Sequence, residues 1–369
     1  MRILLLGDYS NVHATLAEGL RTLGHEVTVA SDGDGWKNYP RDIDLRRHIE
    51  RGRIADMGYY LSLLRKFRKF KGYDVVQLIN PVFLPLKAER HKPFYDYLRR
   101  HNKRVFMGAF GLDHYWVKAG LDCTTFRYSD FNMGCEVRES EDIDIWTTDW
   151  LRGPKGEWNQ YVAADCDGIV AGLYEYYAAY RNEWGDKLTF IPFPIKTQPV
   201  VVAQTPPRKV RFFIGIQRKR SVYKGTDIML RALERLERDY PERCEIIKVE
   251  SVPFNEYVTL MNGSDAILDQ LYSYTPAMNA LEAMARGLIV VGGGEPENYE
   301  VLNEAQLRPI INVAPNEQSV YEALRHLALH PEQIPTLRQQ SVDYIRKHHD
   351  HIKVAQQYLD WWNSCAQNR

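Results

Sequence analysis

This chain of 369 residues has no net charge, since 48 Lys and Arg balance 48 Asp and Glu. No global field therefore advertises a nucleic-acid partner, and any anion binding has to be built locally. It also has no C-x-x-C pair. Its five cysteines, Cys123, Cys135, Cys166, Cys244 and Cys365, are scattered and odd in number, a pattern that points to a reducing compartment without structural zinc. No apolar run approaches the roughly 18 to 20 residues of a membrane span. The opening MRILLLGDYS is too short an apolar run for a signal peptide and merges into a strand-turn-helix pattern, so a cytoplasmic location is expected. The absence of G-x-G-x-x-G argues against a nicotinamide dehydrogenase. What is present, 44% hydrophobic and 26% charged residues, is a globular composition, and the length is enough for two domains with full cores.

Strand and helix patterns alternate from the first residue. Arg2 to Leu6 reads as a strand, Val12 to Leu23 as a helix and Glu26 to Ala30 as the next strand. Further strands are predicted at Asp74 to Ile79, Arg104 to Phe110, Asp167 to Ala171 and Leu188 to Ile191, with helices over Phe94 to His101 and Leu173 to Trp184. Such alternation predicts an α/β fold with a parallel sheet. KTQPVVVAQTPPRK, Lys196 to Lys209, carries three prolines without helical periodicity and is the best interdomain linker. The alternation then restarts, with strands at Val210 to Ile216, Cys244 to Glu250, Ala266 to Leu271 and Ile289 to Val291. Helices are predicted between them over Thr226 to Arg238 and Phe254 to Asn262. Two doubly wound, Rossmann-like domains are expected, over 1–196 and 197–345. A last segment, 346–369, with a helix over Ile352 to Trp362, should return to the first domain and bury its paired Trp361 and Trp362.

In open α/β sheets ligands sit beyond the carboxyl ends of the strands, which directs attention to four places. The first is YTPAMNALEAMARGLIVVGGGEPENYE, Tyr274 to Glu300. Thr275 can cap a helix beginning at Pro276, so that the amides of Ala277, Met278 and Asn279 face an anion. Leu281, Met284, Ala285 and Leu288 form its buried stripe, with Glu282 as a carboxylate beside it, suited to vicinal hydroxyls. The second is the loop QRKRSVYKG, where Arg218, Lys219, Arg220 and Lys224 gather four cations beside Gly225, enough to neutralise a diphosphate. The third is GDYSNVH, in which Gly7 permits close backbone approach. There Asp8, Ser10, Asn11 and His13 could bind hydroxyls, or Ser10 or Asn11 could only cap the following helix. The fourth is GLDHYW, whose Asp113 and His114 could act as a polar clamp or proton carrier, or else be an ordinary hydrogen-bonded pair.

These segments resemble the GT-B nucleotide-sugar glycosyltransferases, and within them the retaining enzymes of glycosyltransferase family 4 found in bacterial cell-surface polysaccharide assembly. LRTLGHEVTVAS resembles the family's first helix and second strand, and ADCDGIVAGLYEYYAAY its strand and helix before the interdomain passage. FIPFPI stands where the family has a strand ending in I-P-N-G-V-D. YKGTDIMLRALERL resembles the K-G-x-D-x-L-x-x-A-L stretch, and ALEAMARGLIVVGGG the E-A-M-A-x-G-x-P-V-V core. The resemblance implies two Rossmann-like domains facing across a cleft and transfer of a sugar from a nucleotide-diphosphate donor to a saccharide or lipid-linked saccharide acceptor. It implies retention of configuration and no metal or further cofactor. Arg218 and Lys224 would bind the donor phosphates, together with the Thr275 to Asn279 helix start, and Glu282 would take the ribose as the second acid of the family's E-x7-E motif. The first acid of that motif is replaced by Tyr274, and Glu295, Glu297 or Glu300 is a candidate to compensate. Asp8, Ser10, Asn11, His13, Asp113 and His114 would shape the acceptor side. The family's H or H-D after the first-domain strand is not matched cleanly, because Phe110 and Gly111 occupy the nearest positions.

Three rivals remain at this stage. Asp32-Gly33-Asp34 has the spacing of a metal-binding Asp-x-Asp pair, though a turn is the simpler reading. A GT-B nucleotide-sugar epimerase would share the architecture. A retired module that binds a saccharide or partner without transfer would explain Tyr274. Separately, YYLSLLRKFRKFK, Tyr59 to Lys71, joins an apolar stripe of Tyr60, Leu64, Phe67 and the stem of Lys71 to Arg65, Lys66, Arg68 and Lys69. Such a helix either lies on an anionic membrane face or buries its stripe within its own domain.

Overall fold

A computed structural model describes residues 1–48, 52–217, 220–250, 252 and 254–367. The strands in chain order are β1 Arg2–Leu6, β2 Glu26–Ser31, β3 Ile43–Asp44, β4 Val75–Leu78, β5 Val105–Ala109, β6 Asn132–Met133 and β7 Glu136–Val137. They continue with β8 Gly168–Ala171, β9 Leu188–Phe190, β10 Val210–Ile216, β11 Cys244–Glu250, β12 Ala266–Leu268, β13 Ile289–Gly292 and β14 Ile311–Asn312. Because Ile3 to Leu6 are apolar on both faces, β1 is sealed between helices, as parallel strands require; all four are 0% exposed.

The chain divides into two units. The first comprises Met1–Thr125, Glu139–Pro194 and the stretch from His351 onward; the second comprises Phe126–Arg138 and Ile195–Asp350. The expected boundary at 196/197 lies within two residues of the observed passage at Pro194, and the C-terminal return falls at His351. The β6–β7 hairpin, however, belongs to the second unit although it interrupts the first in sequence. Strand propensity alone does not place it, because each of its strands is two residues long.

In the first unit a parallel sheet runs β3-β2-β1-β4-β5-β8-β9. Its core gathers Leu4, Leu6, Val76, Leu78, Phe94, Leu98, Val105 and Met107. The helix Val12–Thr22 packs against the C-terminal helix His351–Gln367. Gly19 makes that approach possible, since a Cβ there would stand 2.2 Å from the His351 carbonyl oxygen. Of the two tryptophans expected to be buried, Trp362 is the anchor: it is 0% exposed, with its indole N–H pointing to Gln77 Oε1 at 3.4 Å. The Arg104 guanidinium donates to the Trp362 carbonyl. Trp361 is only half-buried.

In the second unit the parallel order is β11-β10-β12-β13-β14. Phe212, Ile214, Leu233, Leu236, Leu268 and Val291 form its core. Both sheets change direction of growth at their first strand, between β1 and β4 and between β10 and β12. Those are the switch points where doubly wound sheets bind ligands. Among the described residues no helix is long and apolar enough to cross a membrane.

Candidate functional site

The second unit's switch point carries the most coherent constellation. β10 is followed by a one-turn helix, Ser221–Lys224. Gly225 then adopts φ +70 and starts the helix Thr226–Asp239. A side chain there would be strained and would bring its Cβ to 2.7 Å from Leu271 Cβ. The Leu271 N–H donates to the Lys224 carbonyl at 3.0 Å, which ties this turn to the loop after β12. Lys224 is half-buried and makes no salt bridge among the described residues. Of the other three cations predicted in this loop, Arg218 and Lys219 lie outside the described residues and Arg220 is exposed.

Asp269, the residue after β12, was not singled out from the sequence. It is buried, with Oδ1 accepting from Asn279 Nδ2 at 3.1 Å. Burial raises its pKa, and Lys224 is the first of the groups that pull it back down. Asp269 and Asn279 are thus bonded beyond the carboxyl end of β12, and the Lys224 charge acts on the Asp269 carboxyl. The sequence signal that would have found Asp269 is its position as the first polar residue after an all-apolar strand.

The helix of the Tyr274 to Glu300 segment starts later than predicted. It spans Met278–Ala285 with Ala277 at the N-cap and no side-chain cap. Thr275 is buried and does not cap it, because the chain bends at Tyr274 and Thr275 and the helix enters two residues later, with Ala277 at the N-cap. The open amides are therefore those of Met278, Asn279 and Ala280, one residue on from the predicted set. Glu282 is half-buried, and its Oε1 accepts from Arg286 at 2.6 Å.

Tyr274 does not face an open site. It is 2% exposed, and its phenolic oxygen accepts the Arg127 amide at 2.7 Å. The rings of Phe126 and Tyr128 pack around it. Arg127 also lies over the Tyr274 ring, 4.8 Å from its centre, and pairs with both Glu295 and Glu297. Tyr128 donates to Glu295 Oε1 at 2.5 Å. Burial works against the ionised Glu297, but Arg127 outweighs it and holds that carboxyl below the usual range. Two of the three acids considered as substitutes for the missing one are thus engaged by Arg127.

The first unit's loops are more internal than the sequence suggests. Asp8 is buried, and its carboxylate accepts from the amides of His13 at 3.0 Å and Ala14 at 3.3 Å. Asp8 therefore tends the start of the helix Val12–Thr22, the role expected of Ser10 or Asn11. Those two residues instead take positive φ, 50 and 68, and Asn11 offers no side-chain cap. His13 is sealed, with Nδ1 at 2.7 Å from the Gly7 carbonyl. Burial lowers its pKa to about 4, so it is a neutral imidazole near pH 7. The Ser10 amide donates to Asp34, and Lys37 bridges Asp34 and the Ser10 hydroxyl. With Asp32 Oδ1 accepting the Asp34 amide, the Asp-x-Asp stretch is a turn with an ion pair. Among the described residues no group of three or more His, Cys, Asp or Glu is gathered as a metal would need.

Asp113 caps the helix His114–Leu121 through the Trp116 amide and accepts from Tyr180 Oη at 2.7 Å. His114 has its Nδ1 at 2.8 Å from the Trp150 carbonyl, and its own amide donates to Asn159. The pair is thus a folded, hydrogen-bonded corner. Burial pushes the Asp113 carboxyl up to about 7, against the Trp116 and Tyr180 hydrogen bonds that oppose it. The folded state then keeps a proton that the unfolded chain loses above about pH 4, so this group's contribution to stability falls as pH rises from about 4 to about 7. His13 acts in the opposite sense, because the unfolded chain binds its proton first. Asp113→Asn is accordingly expected to gain stability relative to wild type across that window, read from urea unfolding at successive pH values. A difference independent of pH would mean Asp113 is ionised in the fold.

Three likenesses bear on this geometry. Residues 212–360 match the family model described as glycosyl transferase-like, which holds the whole Lys224–Asp269–Glu282 constellation. The full chain superposes on sucrose-phosphate synthase from Thermosynechococcus elongatus with TM-score 0.63 at 13% identity, covering 100% of both chains. It superposes on Anabaena HepE in complex with UDP and glucose at TM-score 0.59 and 11% identity, covering 99% of this chain and 100% of that one.

The fold is GT-B.

The GT-B likeness extends to the S. aureus MnaA–UDP structure, at TM-score 0.52 and 11% identity over 97% of this chain and 94% of that one. No curated protein matches the sequence. The second unit's switch point lies within the part of the chain that the family model matches.

Proposed function

We propose that the protein is a glycosyltransferase that moves a sugar from a nucleoside-diphosphate donor to an acceptor hydroxyl with retention, in the assembly of a bacterial surface polysaccharide. The observation that carries this reading is Lys224. Lys224 is half-buried, makes no salt bridge among the described residues and lies on the turn after β10 at the second switch point; its charge acts on Asp269, which is bonded to Asn279 in the first turn of the Met278–Ala285 helix. A diphosphate placed there would meet a point charge and a helix start together. As the glycosidic bond breaks, both would stabilise the negative charge that develops on the leaving diphosphate. Arg218 is proposed as a second phosphate ligand, and no metal or further cofactor is needed to neutralise the leaving group. Glu282 keeps Oε2 without a hydrogen bond among the described residues, so it can accept from a ribose hydroxyl while Arg286 fixes Oε1. HepE and MnaA are both solved with UDP, which makes uridine the first base to try.

On the acceptor side, Ser10 and Asn11 are half-buried, and they are the better candidates for contact with a saccharide. Asp8, His13, Asp113 and His114 would act by holding their loops. A panel of UDP-, GDP- and ADP-sugars on wild type and Glu282→Ala, read by thermal shift, tests the donor site, since a ligand stabilises in proportion to its affinity for the folded state. One donor should stand out and shift the variant less. Equal shifts for both proteins would remove Glu282 from the ribose. The burial of Tyr274 where the family has an acid favours one second reading, a module that binds donor or saccharide without transfer. Failure to release nucleoside diphosphate from a donor that binds, with saccharide acceptors present, would select it.

A lipid-linked acceptor and peripheral membrane contact form part of the same proposal. In the helix Arg53–Phe67 the sides divide differently from the sequence reading. Tyr59, Leu63 and Phe67 are buried, while Ile54, Met57, Leu61 and Leu64 are exposed on the opposite face, at 91%, 59%, 55% and 38%. Arg65, Arg68 and Lys69 are exposed beside that face. Apolar stripe and cations together suit an anionic bilayer surface. Sedimentation with vesicles containing phosphatidylglycerol should carry the wild type down and spare Leu61→Ser with Ile54→Ser. Equal behaviour on neutral phosphatidylcholine vesicles would refute the contact.

A further inference from the structure

The β6–β7 hairpin lies outside the matched residues 212–360 and comes from the first half of the sequence, yet it belongs to the second unit. It is rigid in itself. Asn132 is fully buried, donating from Nδ2 to the Phe126 carbonyl at 2.9 Å and to the Gly134 carbonyl at 3.0 Å, and Phe131 is 0% exposed. One side is bolted to the loop after β13 through Arg127, Tyr128, Glu295 and Glu297. The other side reaches the turn that carries Lys224.

That second set of contacts is specific. Asp130 Oδ2 accepts from Tyr223 Oη at 2.5 Å. Arg138 donates to the Val222 carbonyl at 2.9 Å and the Tyr223 carbonyl at 3.3 Å. Its guanidinium lies flat over Tyr272, 3.6 Å from the ring centre. Ser221–Lys224 is one turn long, and a single turn does not sustain itself in water, because nucleation fixes several dihedrals for one hydrogen bond. Among its carbonyls, that of Val222 takes the Gly225 amide at 3.3 Å and that of Lys224 the Leu271 amide at 3.0 Å. Arg138 adds a charged donor to the Val222 carbonyl and supplies one to the Tyr223 carbonyl, and Asp130 fixes the side chain immediately before Lys224. Val222 is 68% exposed and adds no cover, so the turn is held by the Leu271 amide of the loop after β12 together with the hairpin.

We propose that the hairpin aims Lys224. Asp130 and Arg138 are positioning residues for the diphosphate, holding the Ser221–Lys224 turn so that the ammonium stays at the switch point. The inference rests on the reading of Lys224 as the diphosphate ligand, and it adds a part of the site that the second domain's own sequence does not contain.

The test is calorimetry on the full chain with UDP, GDP and ADP, followed by the nucleoside of whichever binds best, on wild type, Arg138→Ala and Tyr223→Phe. Arg138→Ala is expected to weaken the diphosphate by at least roughly tenfold, the scale of one lost charge-assisted contact. Affinity for the nucleoside should be unchanged. Tyr223→Phe, which removes the hydroxyl that donates to Asp130, should move in the same direction by less. Hydrogen exchange at the amides of residues 221–225 should quicken in both variants. If Arg138→Ala binds the diphosphate as wild type does, or loses nucleoside and diphosphate equally, the positioning role is overturned while the donor site stands. Should the wild type bind none of the three diphosphates, the donor reading falls and this inference with it. If Arg138→Ala does not fold, Tyr223→Phe decides: unchanged exchange and unchanged diphosphate affinity refute the proposal.

Discussion

Lys224→Ala is expected to lower sugar transfer by about 10²–10³-fold, the effect of deleting one preorganised group that stabilises developing charge in a protected site. The unfolding midpoint should stay close to wild type. The two expectations separate because Lys224 makes no salt bridge among the described residues, so truncation breaks no ion pair among them. The nearest consequence is for Asp269, whose carboxyl loses a charge that lowers its pKa and therefore rises further. Lys224→Arg should recover part of the activity, since it restores the charge with a different shape. The measurement is steady-state release of nucleoside diphosphate with donor and acceptor saturating. Activity within a few-fold of wild type would move the diphosphate elsewhere.

Trp362→Ala is expected to produce the largest loss of stability, about 3–5 kcal/mol, as for other fully buried aromatic truncations. The indole is 0% exposed, near Phe106 and Tyr358, and the backbone at this residue also receives the Arg104 guanidinium. Removing the ring opens a cavity between the first sheet and the C-terminal helix. The same helix meets the Val12–Thr22 helix at Gly19, so loosening should spread to the loop that Asp8 organises. Urea unfolding measures the loss. A midpoint near that of wild type would show that the helix does not depend on Trp362 for its place.

Much of the architecture was legible because it is written in local periods. β10 and β11 fall on the residues expected, Val210–Ile216 and Cys244–Glu250, since an apolar run bounded by polar turns has one economical use in an α/β chain. The helix Thr226–Asp239 begins where its apolar stripe begins, after Gly225. The site residues were less readable. Asp8, Asp113 and His13 are polar residues at strand ends, and from sequence a buried cap and a ligand-binding group look alike. Only their partners, the His13, Ala14 and Trp116 amides, the Tyr180 hydroxyl and the Gly7 carbonyl, show that they hold the fold.

Tyr274 shows the limit most clearly. Its spacing from Glu282 identified it as the residue in place of an acid, and that much is a matter of counting. What it does depends on Arg127, 147 positions away in sequence. By itself, the sequence determined two parallel α/β units, a C-terminal helix with a tryptophan to bury, and a lysine-glycine turn followed by an acid-bearing helix, because each is a pattern with a period or a turn residue of its own. Tertiary structure alone decided that residues 126–138 join the second unit, that Tyr274 is buried beneath them, and that Lys224, whose charge acts on Asp269, lies on a turn held by the Leu271 amide, Asp130 and Arg138. Those contacts link segments of no shared periodicity, so nothing in the local pattern of either partner announces the other.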